Sequence, residues 1–361
     1  MPIQVIEITT RSNLHKFMEL SRQIYKNDPF GFIPSMDNTL QDIFQNPFFR
    51  KRSKLFLALR NNQPIARVAA ITNQGYLEET GLLGYFEAFE DTEATGKLFH
   101  TAINWLKDCK KNTVIGPVTF NTNQLIGVLT EGFSEEPYFM TPYNPPYYSL
   151  LLNNLGFNKA EDFYAYRWHQ GIPFSEKITK VSLRAKRISG LKIRSINFNH
   201  LNREATTVCS ILNQSMSDNW GYKPLSEIET YQILYGYKGY CEPDLMTVIE
   251  IDRQPAAICL AVPNINPLLR QYPRGLPLPL SQPLRKKMDT FRLAILGVVP
   301  RFRCRGLEAL MILRTINTAI AKGYTGAELS LIHEKNTIMN KIISDTGCPK
   351  TKSFRLYQKD I

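Results

Sequence analysis

The sequence predicts an α/β protein made of two similar halves, each a mixed sheet packed by helices. Strand and helix patterns alternate along the chain, with two adjacent strands early in each half. Two separated blocks of sequence repeat at a single offset. A strand, basic turn and amphipathic helix near residue 300 have a counterpart of opposite charge near residue 90.

The elements follow in order. The first half reads as strand 3–9, helix 11–26, hairpin 55–71, strand 82–89, helix 92–110, strand 112–118, helix 146–155 and strands around 157–167. The second reads as strand 191–197, helix 200–217, hairpin 245–262, strand 291–299, helix 306–322, strand 325–332, helix 336–345 and a strand at 353–359. In the clearest helix, Ala309, Ile312, Leu313, Ile316, Ala319 and Ile320 mark one buried face, and Lys322-Gly323 supply a basic last turn and a stop.

"LFLALRNNQPIARVAAI" (55–71) matches "MTVIEIDRQPAAICLAV" (246–262), so that Gln63-Pro64 align with Gln254-Pro255 at an offset of 191. At the same offset Gly156, Lys159, Phe163 and Tyr166 meet Gly347, Lys350, Phe354 and Tyr357. Identities at one offset in two distant blocks indicate a duplicated domain. The expected division is 1–170, a basic linker over 171–190, and 191–361. Each half has its own insertion. Residues 263–289 are proline-rich and read as an extended loop or lid. Residues 116–148, with "TPYNPPYY", either line a pocket or pack a long loop.

The chain has 361 residues, enough for two domains with real cores. No run of 18 apolar residues suggests a membrane span, and "MPIQVIEITT" lacks a signal-peptide pattern, so a cytoplasmic protein is expected. The 6 cysteines have no metal-type spacing, which argues against a zinc site or disulfide framework. A net charge of +12 favours anionic ligands. The basic stretch 176–194 is the candidate nucleic-acid patch, read here as a solvated helix, because no nucleic-acid-binding motif accompanies it.

The turn "RFRCRG" (301–306) carries the sharpest chemistry. A helix start leaves N–H groups free and bears partial positive charge, so it suits a phosphate. Arg303 and Arg305 would add charge-assisted contacts, and Gly306 would let an anion approach the backbone closely. The counterpart turn, 86–97, carries Glu87, Glu90, Asp91 and Glu93; those charges satisfy their own helix and oppose a phosphate.

A strand, R-x-x-G-x-[G/A] at a helix start, a second strand, an asparagine opening a helix, then a glycine and a last strand: this pattern resembles the GCN5-related N-acetyltransferases. "GPVTFNTN", "MTPYNPPYY" and "GFNKAEDFYAY" are further similar to bacterial two-copy proteins of that superfamily. The resemblance implies two tandem acyl-CoA N-acyltransferase-like domains, the first degenerate and binding no coenzyme A. It implies acetyl-CoA or another acyl-CoA as donor and an amine as acceptor, with transfer in the second half and no metal. The implied donor-binding residues are Leu296, Gly297, Val298, Val299, Arg303, Cys304, Arg305, Gly306, Leu307, Glu308, Ala309 and Asn336.

The sequence departs from the pattern at Glu308, where glycine or alanine is usual, and at Ile343, where many relatives carry a tyrosine that protonates the leaving thiolate. Glu328, His333 and Glu334 are the candidates for proton transfer. Two other readings stay open: a retired acyltransferase fold acting in binding or regulation, and a Fem-like transferase using aminoacyl-tRNA. The retained R-x-x-G turn favours coenzyme A over tRNA.

Overall fold

A computed structural model describes residues 2–31, 51–72, 78–119, 123–272, 276–278 and 280–361. Two compact units emerge. Unit 1 comprises Met1–Phe163, Leu269–Gly275 and Lys352–Ile361, and unit 2 comprises Tyr164–Leu268 and Leu276–Thr351.

Unit 1 contains β1 (Ile3–Glu7), α1 (Arg11–Ile24), β2 (Ser53–Arg60), β3 (Gln63–Thr72), β4 (Thr80–Ala88), α2 (Thr92–Asp108), β5 (Thr113–Gly116), β6 (Val128–Glu131) and α3 (Tyr148–Asn154). The first part of β7 (Asn158–His169) and most of β13 (Lys350–Asp360) complete it. Its strands run β1-β2-β3-β4-β5-β13, with β6 also on β13. β4 and β5 pair in parallel, whereas β1–β2, β2–β3, β3–β4, β5–β13 and β6–β13 are antiparallel. β3 shows why its helices lie on opposite faces. Ala66 and Val68 join Leu98, Phe99 and Ala102 of α2 in one core, while Arg67 between them reaches Phe17 of α1, as strand alternation requires.

Unit 2 contains α4 (Glu176–Ala185), β8 (Leu191–Ser195), α5 (Leu201–Ser215), α6 (Glu227–Tyr237), β9 (Met246–Ile251), β10 (Gln254–Pro263), α8 (Gln282–Arg285), β11 (Thr290–Val298), α9 (Leu307–Ala321), β12 (Gly326–His333) and α10 (Thr337–Ser344). A short helix, α7 (Asn266–Gln271), spans the passage from unit 2 to unit 1 at Leu268/Leu269. The strand order is β8-β9-β10-β11-β12, with β7 beside β12, and β11–β12 is parallel. The hairpin turns repeat as well. Asn61 and Asn62 in one and Asp252 and Arg253 in the other all have positive φ, the left-handed geometry of a tight two-residue turn.

The mixed α/β class and the duplicated order of elements are as the sequence predicts. The units, however, do not separate at one point of the chain. β7 passes from unit 1 into unit 2 after Phe163, and β13 passes back into unit 1 after Thr351. β13 pairs with β5 through Tyr357–Gly116 to Asp360–Thr113, so unit 1 takes its closing strand from the far end of the sequence. Pairing partners are set by packing over long separations, which a local pattern does not carry.

Two further expectations are corrected. Residues 263–289 are not simply an extended loop. Residues 273–275 and 279 lie outside the described ones; the rest include two short helices, with Ile265, Leu268, Leu269 and Leu280 buried. Within the basic linker expected over 171–190, the helix read from the stretch 176–194 is present as α4, which is not wholly solvated: it packs Ile178, Ser182 and Ala185 inward and lies against α9. α6, which no apolar periodicity in the sequence marks, opens on a full capping box of Ser226 and Glu229.

Candidate functional site

In unit 2 the site-forming feature is a parting of two strands. β11 pairs with β12 from Thr290–Gly326 to Leu293–Leu329 and no further. From Ile295 to Val298 it pairs with β10. The register with β10 slips at Leu260/Ala261, where a bulge turns the strand. The edge of β11 that faces away from β10 is therefore open over Ala294, Ile295 and Leu296, which are partly exposed, while Gly297, Val298 and Val299 are buried. Gly297 is required by close packing, because a Cβ there would lie 2.5 Å from Ser215 Oγ.

This edge leads straight into the basic turn. After a 3-10 turn at Pro300–Phe302, Cys304 and Gly306 both take positive φ, and α9 begins with no side-chain cap. Leu307 and Ala309 are buried, whereas Glu308 on the first turn is half-buried. Arg301 and Arg305 lie over the Phe302 ring at 4.8 and 5.5 Å. Arg303 holds the turn in place. It donates to Val298 O at 3.3 Å and to Ser215 O at 3.1 Å, where a cation also suits the C-terminus of α5. Cys304 is exposed. One flank of the turn is occupied by α4, whose Val181 Cγ1 would lie 2.6 Å from a Cβ at position 306.

The remaining candidates lie on β12 and after it. Glu328 is 1% exposed and accepts from Ser330 Oγ at 2.6 Å. Ser330 in turn accepts from Arg292 Nε at 3.0 Å, and Arg292 sits opposite Glu328 in the parallel pair. Burial lowers the Arg292 guanidinium pKa, with the Glu328 charge working against that shift. His333 and Glu334 are half-buried. The carbonyls of both accept from Asn340 Nδ2, whose Oδ1 takes a hydrogen bond from Tyr166. Asn336 caps α10 by accepting from Met339 N at 3.1 Å. The structure thus sets Glu328 next to the point where the strands part, His333 at the far end of β12, and Glu334 and Asn336 in the turn that leads to α10.

In unit 1 the corresponding helix start is closed. Asp91 caps α2 by accepting from Ala94 N at 2.9 Å, and Arg60 bridges Asp91 and Glu93 at 2.8 and 3.0 Å. That pairing offsets part of the acidic charge of the turn internally.

Unit 1 nevertheless holds a cavity that the sequence reading did not place. Tyr85, with φ +52°, bulges β4 where its register with β3 slips, and next to it Phe86 and Glu87 line the cavity. Glu87 accepts from Tyr25 at 2.9 Å and from Tyr148 at 2.6 Å. Burial first, then the Glu87 charge, raises both phenols well above their usual range, and moves the nearby Tyr147 up to about 12. Residues 142–144 of "TPYNPPYY" are part of the lining, so the pocket alternative for that segment applies to the described part of 116–148; 120–122 lie outside the described residues. The sequence signal was an acidic turn rich in glutamate; its tyrosine partners come from 62 and 61 residues away.

Among the described residues no group of His, Cys, Asp and Glu could hold a metal ion, and no helix is long and apolar enough to cross a membrane.

No family model matches the chain. It is 27% identical to a protein named bacterial ceramide synthase from Caulobacter vibrioides, over 99% of this chain and 97% of that one. It is also 27% identical to protein YghO of Escherichia coli, over 97% and 94% of the two chains. Among solved structures, a tandem GNAT protein from the clavulanic acid pathway matches with TM-score 0.59 at 10% identity, over 99% and 98% of the chains. A GCN5-related N-acetyltransferase from Sphaerobacter thermophilus matches with TM-score 0.57 at 11% identity, over 99% and 95%. The chain therefore has the fold of the GCN5-related N-acetyltransferases, carried in two copies.

Proposed function

We propose that the protein is an acyl-CoA-dependent N-acyltransferase whose donor site is the parted strand edge of unit 2. One observation carries the reading: the open edge of β11 runs directly into an uncapped helix start surrounded by arginines. An extended pantetheine arm can add to such an edge as a strand would, and the pyrophosphate then meets the N–H groups of residues 307–309. In this reading Arg301 and Arg305 supply charge to the phosphates, Arg303 fixes the turn, and Asn336 caps its helix beside the donor arm.

In the reaction the amine nitrogen attacks the thioester carbonyl, the C–S bond breaks, an amide forms and coenzyme A leaves as thiolate. The proton shed by the amine is assigned to His333 or Glu334, and Glu328 is read as the strut that keeps Arg292 neutralised. The 27% identity to a protein named ceramide synthase supports a fatty acyl donor and a long-chain amino alcohol as acceptor.

Calorimetric titration with coenzyme A, acetyl-CoA and palmitoyl-CoA tests the donor site. Micromolar binding that is lost in Arg301→Ala/Arg305→Ala, with the melting temperature of that variant unchanged, is the expected result. Binding that is untouched by the double substitution would overturn the assignment. Thiol release with palmitoyl-CoA and sphinganine, exceeding that with acetyl-CoA, tests the substrate class.

A further inference from the structure

We propose that unit 2 docks on an anionic lipid surface through the outer face of α6. That helix buries Thr230, Leu234 and Tyr237 along its inner side. The opposite side of a surface helix is ordinarily polar. Here Ile228, Tyr231 and Tyr235 fall on it at the i, i+3, i+7 spacing of one face, with Ile228 73% and Tyr235 61% exposed. The Tyr231 and Tyr235 rings stack with centres 6.1 Å apart and planes 13° apart. Leu278, 53% exposed, extends the patch past the end of the helix, where its Cδ2 lies 2.9 Å from the place a Cβ on Gly239 would take. Contiguous exposed apolar side chains of this kind mark a contact surface.

The charges around the patch differ between the two ends of the helix. The acids of the first turn are already engaged. Glu229 pairs with Lys223 at 2.8 Å and accepts from Ser226, and Glu227 accepts from the Thr206 hydroxyl at 2.8 Å. The other end is basic. Lys238 is exposed there, and the chain around α8 is tied to the same point, because Leu280 N and Arg285 Nη2 both donate to Gly239 O at 3.2 Å. Lys286 and Lys287 follow directly and are exposed. Glu242, also at this end, is held by Arg285 at 3.0 Å and Lys322 at 3.3 Å.

This combination fits a bilayer boundary. Tyrosine rings settle at headgroup level with their hydroxyls in water, and lysine stems run along apolar surface while the ammonium stays hydrated. Anionic headgroups would meet the lysines at the helix end, and a net charge of +12 draws the whole chain to the same surface. A second copy of the chain is a poorer occupant, since a handful of apolar side chains falls far short of the about 20–30 residues a side of a stable protein interface. The face is a feature of the surface of unit 2 and does not depend on the donor reading. Where that reading holds, the long-chain substrates partition into the same lipid phase.

The test is co-sedimentation of the full chain with phosphatidylcholine vesicles, with and without phosphatidylglycerol, at low and high salt. Binding should require phosphatidylglycerol and fall as salt rises. Ile228→Ser/Tyr235→Ser should weaken it by about tenfold or more, through loss of apolar burial. Lys238→Gln/Lys286→Gln should weaken it by about tenfold. Thermal unfolding of both variants should match the wild type. Equal binding to the two vesicle types, or unchanged binding in Ile228→Ser/Tyr235→Ser, overturns the proposal. A wild-type dimer in analytical ultracentrifugation that this variant loses also overturns it, because a second copy then takes the face. If a variant does not fold, wild-type amide hydrogen exchange decides: amides 228–239 should gain protection on anionic vesicles, and no gain overturns the proposal. Coenzyme A titration of the variants without vesicles should match the wild type, so failure of the donor site and failure here are read separately.

Discussion

Gly306, at the start of α9, faces Val181 of α4 so closely that a methyl group at 306 would lie 2.6 Å from Val181 Cγ1. The residue is thus required twice, by its φ of +78° and by the helix beside it. Gly306→Ala should destabilise the protein by about 2–3 kcal/mol, of which roughly 1–2 reflects the left-handed backbone. Adding Val181→Ala should relieve the contact but not the backbone cost, recovering part of the loss in urea unfolding. Full recovery would show that the contact alone makes glycine necessary.

Arg292 and Glu328 stand opposite each other on β11 and β12, both buried and both hydrogen-bonded to the Ser330 hydroxyl. Removing one partner leaves the other charge buried, so Glu328→Leu should cost about 3–5 kcal/mol. Arg292→Met combined with Glu328→Leu should restore most of that stability, because an apolar pair needs no solvation. A double variant as unstable as the single one would contradict the pairing.

Glu308 places a carboxylate on the first turn of the proposed donor site. Its charge helps the helix dipole but repels a diphosphate. Glu308→Gln should tighten coenzyme A by about two- to fivefold, within the range of a partly exposed dipole-scale interaction, while slightly lowering the melting temperature. Calorimetry and thermal unfolding read the two effects separately.

Asp162 on β7 links to Arg355 on β13 at 2.8 and 3.0 Å and to Lys159 at 2.9 Å. Burial pushes its carboxyl pKa up, but those hydrogen bonds outweigh burial and leave it below its ordinary 3.8. A lowered folded pKa contributes stability that is present above the ordinary value and lost as pH falls through the folded one. Acid unfolding of the wild type should therefore steepen below about pH 4, and Asp162→Asn should flatten that limb while lowering stability at pH 7. Parallel acid limbs in the two proteins would rule the linkage out.

Local chemistry was legible in the sequence where it is written locally. The face of α9, the glycine at 306, the basic turn, the Asn336 cap and the acidic counterpart near Asp91 all follow from residues within a few positions of one another. What spans the chain was not legible. Nothing near Glu328 indicated that it is buried, since Arg292 stands opposite it on a neighbouring strand. Val181 and Gly306 are separated by most of unit 2. The cavity at Glu87 is built by Tyr25 and Tyr148 from either side of β4, and an acidic turn by itself announces a helix start rather than a binding site.

The crossing of β7 and β13 bears on how the molecule is made. The first unit lacks its final sheet partner until residues 352–361 have left the ribosome, so β5 waits with a bare edge while the other unit is synthesised. A fragment ending near 170 should consequently stick to itself or to chaperones, and supplying a peptide of residues 350–361 should render it soluble.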